Sequence, residues 1–283
     1  MRQDTVALLS PVPHSVLGLD PGFVWSMALI AALGYGLYFS RRSGLDPRSM
    51  YWTGICTMVG GLWGAHVLDL AANGSNGDPL AWLRFWVGAK SYYGGLFGGM
   101  LAGVVFLRLR KLSVPAYADA VVPAVALGYG IGRVGCFLNG DDYGTLSSLP
   151  WAVRYSPGTE AQAAHLTQGL IDSMEALSLP IHPVQLYASL LGFSMFALLV
   201  RWPVTRPGDR FYLFAVLYGA ARFAMEWLRG DFKAVLGPLS LPQVCSVLFI
   251  LVAVGCWLGL HKGIEIWTRS HAVSVSGIRG YRV

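Results

Sequence analysis

Charge is scarce in this chain. Only 13% of its 283 residues are Asp, Glu, Lys or Arg, against about 25% in a soluble domain, and that shortfall excludes an ordinary water-soluble fold. Cysteine is scarce too. Cys56, Cys136, Cys245 and Cys256 all lie in apolar segments, with neither metal-site spacing nor a disulfide framework. They read as small buried hydrophobes, and no metal or other cofactor is expected. A cleavable signal peptide is not apparent. Residues 1–22 contain Pro11, Pro13, Asp20 and Pro21 and lack a continuous apolar core before a small-residue cleavage site, so the first membrane helix is expected to be retained. No internal repeat is visible, which counts against an inverted-repeat transporter. The net charge of +6 is no nucleic-acid patch, because the basic residues are scattered through short loops.

Apolar residues are abundant, at 54%. The fold class they predict is an all-α polytopic integral membrane protein. A spanning helix needs about 20 mostly apolar residues, and about seven transmembrane helices are expected, at 23–40, 50–71, 93–108, 117–137, 184–201, 211–228 and 241–261. Glycine pairs four residues apart, such as Gly60/Gly64, Gly94/Gly98 and Gly128/Gly132, suit close helix packing. Basic residues in the connections set orientation. One side carries thirteen, including Arg41, Arg42, Arg108, Arg110, Arg201 and Lys262, and the other carries six. The richer side is expected to be cytoplasmic, with the N-terminus outside and the C-terminus inside. The chain then forms a single membrane domain, 1–283, with an extracytoplasmic head insertion at 139–182 and a cytoplasmic tail at 263–283. Within the head, "TEAQAAHLTQGLIDSMEALSLP" predicts a short amphipathic helix after the Pro157-Gly158 turn.

Two arginines lie inside apolar segments. A charge at bilayer depth costs about 2.5–3.5 kcal/mol at a helix centre, and marks a candidate functional site. Arg133 lies in "GYGIGRVGCFLNG". That run matches G-x-G-x-x-G literally, but the dinucleotide fingerprint requires a soluble βαβ unit around it. Arg222 lies in "LYGAARFAMEWLRGD", where Tyr218, Arg222 and Glu226 share one helix face, with Arg229 three residues beyond Glu226. An Arg222–Glu226 pair would neutralise itself, or it would hold the guanidinium toward an anion. The arginine fork binds phosphate through two bonds, and a phosphate within a membrane most simply belongs to a phospholipid headgroup. Asn139, Asp141 and Asp142 follow the Arg133 helix and could line the same mouth. His66 and Asp69 read as a local pair. Asp119 is expected in the first turn of the fourth helix, where it suits the dipole. His182, Gln185 and Tyr187 mark the outer start of the fifth helix. Ser91-Tyr92-Tyr93 opens the third at the outer interface.

Together "GRVGCFLNGDDYG", "HPVQLYAS", "SYYGGLFGG" and "YGAARFAMEWLR" resemble the motifs of bacterial prolipoprotein diacylglyceryl transferases. The resemblance extends from about the second helix to the last. It implies seven spans in the cytoplasmic (inner) membrane, an outside N-terminus, a small periplasmic head and an active site facing the extracytoplasmic side. It further implies transfer of the diacylglyceryl group of phosphatidylglycerol to the lipobox cysteine of a prolipoprotein signal peptide. A thioether forms, and glycerol phosphate leaves. By the same resemblance Arg133 corresponds to the lipid-binding arginine and Arg222 to a second essential arginine. Tyr218 and Glu226 are their neighbours, Arg229 a later arginine, and Asn139 and Gly140 the Asn-Gly of the signature. His182 joins them as a substrate-binding candidate.

Three positions depart from the family pattern. Cys136 stands where asparagine is common, Ala188 where glutamate is usual, and Tyr93 where a histidine is proposed as base for the substrate thiol. With an ordinary pKa near 10, tyrosine is a poor base at neutral pH. Tyr93 remains a candidate as an interfacial belt residue, as an orienting hydroxyl or as a base made more acidic by the arginines. The alternative function is a non-catalytic membrane paralogue that binds an anionic phospholipid. A transporter for a phosphate-bearing solute is the third class.

Overall fold

The computed structural model describes Val12, residues 20–74 and residues 91–270, with the side chains of residues 72, 73, 92, 93 and 260–270 excepted. It is mostly helical. In chain order come α1 (Pro21–Arg42), α2 (Pro47–Asn73), α3 (Tyr92–Leu109), α4 (Val114–Asn139), α5 (Glu160–Thr167), α6 (Val184–Arg201), α7 (Asp209–Glu226), a two-stranded hairpin β1 (Ala234–Leu236) and β2 (Leu239–Ser240), and α8 (Leu241–Ser270). The hairpin corrects the all-α expectation in a small way.

Among the described residues, five helices, α1, α2, α4, α6 and α8, are long and apolar enough to cross a membrane. In α3 the described apolar stretch, Gly94–Leu109, is shorter, and α7 carries Asp209, Arg210, Arg222 and Glu226. Helix α8 continues to Ser270, so the start of the expected 263–283 tail prolongs a helix. Because α4 begins at Val114, Asp119 falls beyond its first turn. It is buried rather than placed at the helix end.

The chain divides into two compact units. One comprises residues 33–121. Asp46 caps α2 by accepting from the Arg48 and Ser49 amides, with Pro47 in the first position, where a missing N–H costs nothing. Ser91 caps α3. Helices α2 and α3 meet through glycine: a Cβ on Gly98 would lie 2.9 Å from Gly64 Cα, and one on Gly60 2.9 Å from the Gly98 carbonyl. Backbones approach that closely only without side chains. Beside this contact, Phe39, Met50, Leu107, Tyr117 and Ala120 form a core.

The other unit holds residues 1–32 and 122–282. Its helical core packs Val122 and Ala126 of α4 against Met195 and Leu199 of α6, with Phe211, Phe214 and Leu217 of α7 alongside. Helices α4 and α6 touch at Gly130 and Gly192, where an added Cβ on Gly192 would lie 2.8 Å from Gly130 Cα. The Ser189 hydroxyl donates to the Gly130 carbonyl at 2.7 Å.

Residues 140–183 form a small subdomain on a second core of Phe137, Leu138, Tyr143, Val153, Tyr155, Ala161 and Ile181. Isolated bridges join Leu146 and Val153 to Ile181. The amphipathic helix expected here is only eight residues long, Glu160–Thr167, after its Thr159 cap. Gly169 then turns left-handed at φ +68°. The following turns are tied back by Leu179 N–H donating to His165 Nδ1 and by Gln162 Nε2 donating to the Met174 carbonyl. Side chains of α5 thus take over the hydrogen bonds that a longer helix would have made internally.

Candidate functional site

Helix α4 ends at a glycine because the chain must turn sharply there. Gly140 adopts φ +73°, and a Cβ on it would lie 2.8 Å from the Thr159 side chain. Both constraints demand glycine. Past this turn Asp141 and Asp142 face back toward α4. The Asn139 amide donates to Asp141 Oδ2 at 3.0 Å, and Gln185 Nε2 of α6 donates to the Asp141 carbonyl at 2.7 Å. Backbone pairing brings in the end of α7: Thr145 N–H donates to the Leu228 carbonyl, and Gly230 N–H to the Tyr143 carbonyl.

These elements converge on one small, partly open cavity, lined by Arg133 and Tyr129 of α4, by Asp142, by Val184, Gln185 and Ala188 of α6, by Arg222 and Met225 of α7, and by Arg229. Three arginines sequence reading had singled out are therefore brought together. The Arg133 guanidinium lies 5.0 Å above the Tyr129 ring, a cation–π contact. Tyr129 in turn meets Tyr218 edge-on. Tyr218 thus braces the aromatic support of Arg133 and is absent from the cavity wall. Arg222 Nη1 is 2.5 Å from Glu226 Oε2, and the buried Glu226 accepts at Oε1 from the Ser240 hydroxyl at 2.9 Å. The i, i+4 pair expected on α7 exists, and its carboxylate is anchored from β2.

Asp142 bridges two of the arginines. Its Oδ2 lies 2.6 Å from Arg133 Nη1 and its Oδ1 2.6 Å from Arg229 Nη1. Burial pushes its carboxyl up, but Arg229 and Arg133 outweigh that and hold it below the ordinary carboxylate value. Neighbouring Asp141 goes the other way, raised by burial against the opposing hydrogen bond from Asn139. Arg229 is also forked on Asp231, Nε to Oδ1 at 2.8 Å and Nη2 to Oδ2 at 2.6 Å, and lies 4.0 Å from Glu226.

Among the described residues, five expected site residues stand apart from the wall: Tyr218, Glu226, Asn139, Gly140 and His182. Asn139 and Gly140 shape the turn that delivers Asp142. His182 Nδ1 is 3.5 Å from the Tyr187 hydroxyl, which also accepts from Trp151 Nε1. The Tyr93 side chain lies outside the described residues. Sequence reading missed Tyr129, whose aromatic ring one helical turn before Arg133 was the available signal. Ala188, noted only as a departure, lies on the wall. Among the described residues, Cys136, Asp141 and Asp142 bring potential metal-ligand atoms within 4.8 Å, a grouping the spacing did not suggest. Both Asp142 oxygens already face guanidinium groups, which disfavours a cation there.

The family profile for prolipoprotein diacylglyceryl transferase matches residues 22–259, which include every residue of the cavity wall. The chain belongs to the prolipoprotein diacylglyceryl transferase family. Among relatives, a phosphatidylglycerol–prolipoprotein diacylglyceryl transferase of Geobacter sulfurreducens is 33% identical over 182 residues, 62% of this chain and 63% of the relative. That of Thermosynechococcus vestitus is 31% identical over 255 residues, 84% of this chain and 89% of its own. That of Corynebacterium glutamicum is 28% identical over 278 residues, covering 92% and 87%. In this family member the three guanidiniums suit an anion with several oxygens, and the apolar wall of Val184, Ala188 and Met225 suits the hydrocarbon next to it.

Proposed function

We propose that the chain is a membrane transferase that moves the diacylglyceryl group of phosphatidylglycerol to the lipobox cysteine of a prolipoprotein. The observation that carries this reading is the convergence of Arg133, Arg222 and Arg229 on one part-apolar cavity in a chain of this family. The prolipoprotein thiol loses its proton to an acceptor, since the thiolate is the nucleophile. Sulfur attacks the glyceryl carbon, a C–S bond forms, and the C–O bond to phosphate breaks. Glycerol phosphate leaves with the electron pair. Arg133 and Arg222 bind the phosphate and stabilise the charge on the departing group. Arg229 joins Arg133 on the phosphate, Glu226 holds Arg222 in register, Tyr218 supports Tyr129 beneath Arg133, and Asn139 and Gly140 fix the turn. His182 contributes at the rim. The hydroxyl of Tyr93 orients substrate.

In this reading α3 and α7 also cross the bilayer, giving seven spans in the bacterial cytoplasmic membrane. The C-terminus is inside, and residues 139–182 form the extracytoplasmic head on the side where the reaction occurs. The basic asymmetry of the loops supports that orientation. A reporter fused after Val283 is expected to report cytoplasm and one inserted near Glu160 the outside; the opposite result at both sites overturns the orientation.

The decisive experiment incubates the purified protein with a lipobox peptide and phosphatidylglycerol and reads the peptide mass. A diacylglyceryl gain is expected. Lipid binding without the gain would instead identify a non-catalytic paralogue, and solute flux into vesicles a transporter.

A further inference from the structure

The carboxylate of Asp142 stands where an incoming phosphate would have to go. Each of its oxygens lies 2.6 Å from the guanidinium of a different arginine, the arrangement that two oxygens of one phosphate would adopt. We propose that Asp142 is a displaceable counter-ion: it closes the Arg133–Arg229 pair before lipid binds, and the phospholipid phosphate takes its place. This rests on the phosphate-site reading above and adds what competes for that site.

Charge balance supports it. Three guanidiniums, Arg133, Arg222 and Arg229, meet three carboxylates, Asp142, Glu226 and Asp231. An anion approaching such a balanced cluster gains little, so one carboxylate must leave. Glu226 is buried and held by Ser240. Asp231 grips Arg229 with both oxygens and is absent from the cavity wall. Asp142 does line the wall, and it hangs from a loop beyond the end of α4 with its side chain 36% exposed. It is thus the carboxylate with room to swing out. When it leaves, Arg229 stays forked on Asp231 and Arg133 stays on the Tyr129 ring, so neither arginine loses its support.

A site competent only part of the time binds with its intrinsic affinity reduced by that fraction. If the closed form dominates, removing the carboxylate should tighten phosphate binding by about 3- to 30-fold. Asp142→Asn is the chosen variant, because Asp142 has a left-handed backbone, φ +52°, that asparagine also tolerates. Asp142→Gly, which accepts the same φ without strain, serves as the second variant should the first fold poorly.

The full-length protein in detergent is titrated with glycerol phosphate by calorimetry, and KM for phosphatidylglycerol is measured in mixed micelles. In Asp142→Asn both the Kd and the KM should fall about 3- to 30-fold. Unchanged or weaker binding in both variants overturns the proposal and makes Asp142 a positioning residue for the arginines. A tighter Kd for glycerol phosphate without a lower lipid KM overturns its placement at the lipid-binding step. Arg133→Ala is the control. If it binds glycerol phosphate as the wild type does, the phosphate-site reading itself fails; if it loses binding while Asp142→Asn gains none, only the counter-ion proposal fails.

Discussion

Helices α2 and α3 and the arginine cavity solve opposite problems. The first contact is made by removing side chains, with Gly60, Gly64, Gly94 and Gly98 bringing two backbones together. It gains from dispersion between close surfaces, without a hydrophobic driving force that lipid would not already supply. The second is made by adding charges that the surroundings disfavour, each Arg answered by a carboxylate: Arg133 and Arg229 by Asp142, Arg222 by Glu226. Replacing a buried ion pair by apolar residues is often neutral or stabilising, so stability gives little reason to keep the second arrangement. The glycine contact serves the fold, and the charged cluster is the part that the proposed phosphate chemistry would explain.

Substitutions break that contrast in order of effect. Arg133→Ala and Arg222→Ala should abolish transfer, a loss of at least about 1,000-fold or roughly 4 kcal/mol, while the protein accumulates normally. Arg133→Lys should lose part of the activity or most of it, because lysine offers a point charge in place of a fork. Wild-type turnover in a well-expressed Arg133→Ala protein would remove the phosphate site. Gly98→Val should do the reverse, costing about 3 kcal/mol of stability through a backbone collision that no rotamer relieves. Lower yield and an earlier melting midpoint, with near-normal turnover per folded molecule, would show it.

Tyr93→Phe tests whether the glycine-packed unit carries any chemistry of its own. A fall of about 10- to 100-fold, or 1.4–2.7 kcal/mol, with an unchanged pH optimum is expected. Unchanged rates from pH 6 to 9 would leave Tyr93 a belt residue, and a larger loss that erases a pH–rate pKa would make it the base. The smallest effect is expected from Ser240→Ala, which frees the anchored end of Glu226. About 1 kcal/mol of stability and a several-fold slower transfer should follow, and equal activity would mean that Arg222 alone holds the carboxylate.

The helices were legible in the sequence because apolar runs are local signals. Helices stand at all seven expected positions, five of them long and apolar enough to span, with ends displaced by up to three residues except that α8 runs nine past the expected 261 to Ser270, and Arg222–Glu226 pairs as its i, i+4 spacing implied. Contacts set by the folded path were not legible. Nothing in "NGDDYG" distinguishes Asp142, which reaches Arg229 beyond three further helices, from Asp141, which does not. Asp119 was misplaced because α4 starts three residues before the expected boundary at 117, and the α5 helix was overextended because the side chains of Gln162 and His165 replace helical hydrogen bonds that periodicity assumes. Tyr129 was passed over because an aromatic residue in an apolar run looks like any other until a cation is seen above it.

Pairing of the Tyr143–Thr145 backbone with Leu228 and Gly230 also bears on the order of events during synthesis. Residues 140–145 leave the ribosome before α6 and α7 exist, yet their backbone partners Leu228 and Gly230 come only with the segment that follows α7. The arginine of α4 must therefore enter the membrane, and wait there, without the scaffold that later surrounds it. A nascent chain halted before Arg229 should hold the segment around Arg133 only loosely in the bilayer, and release past Gly230 should lock it. The few residues that follow α7, Leu228 to Gly230, would then act as the clasp that completes assembly.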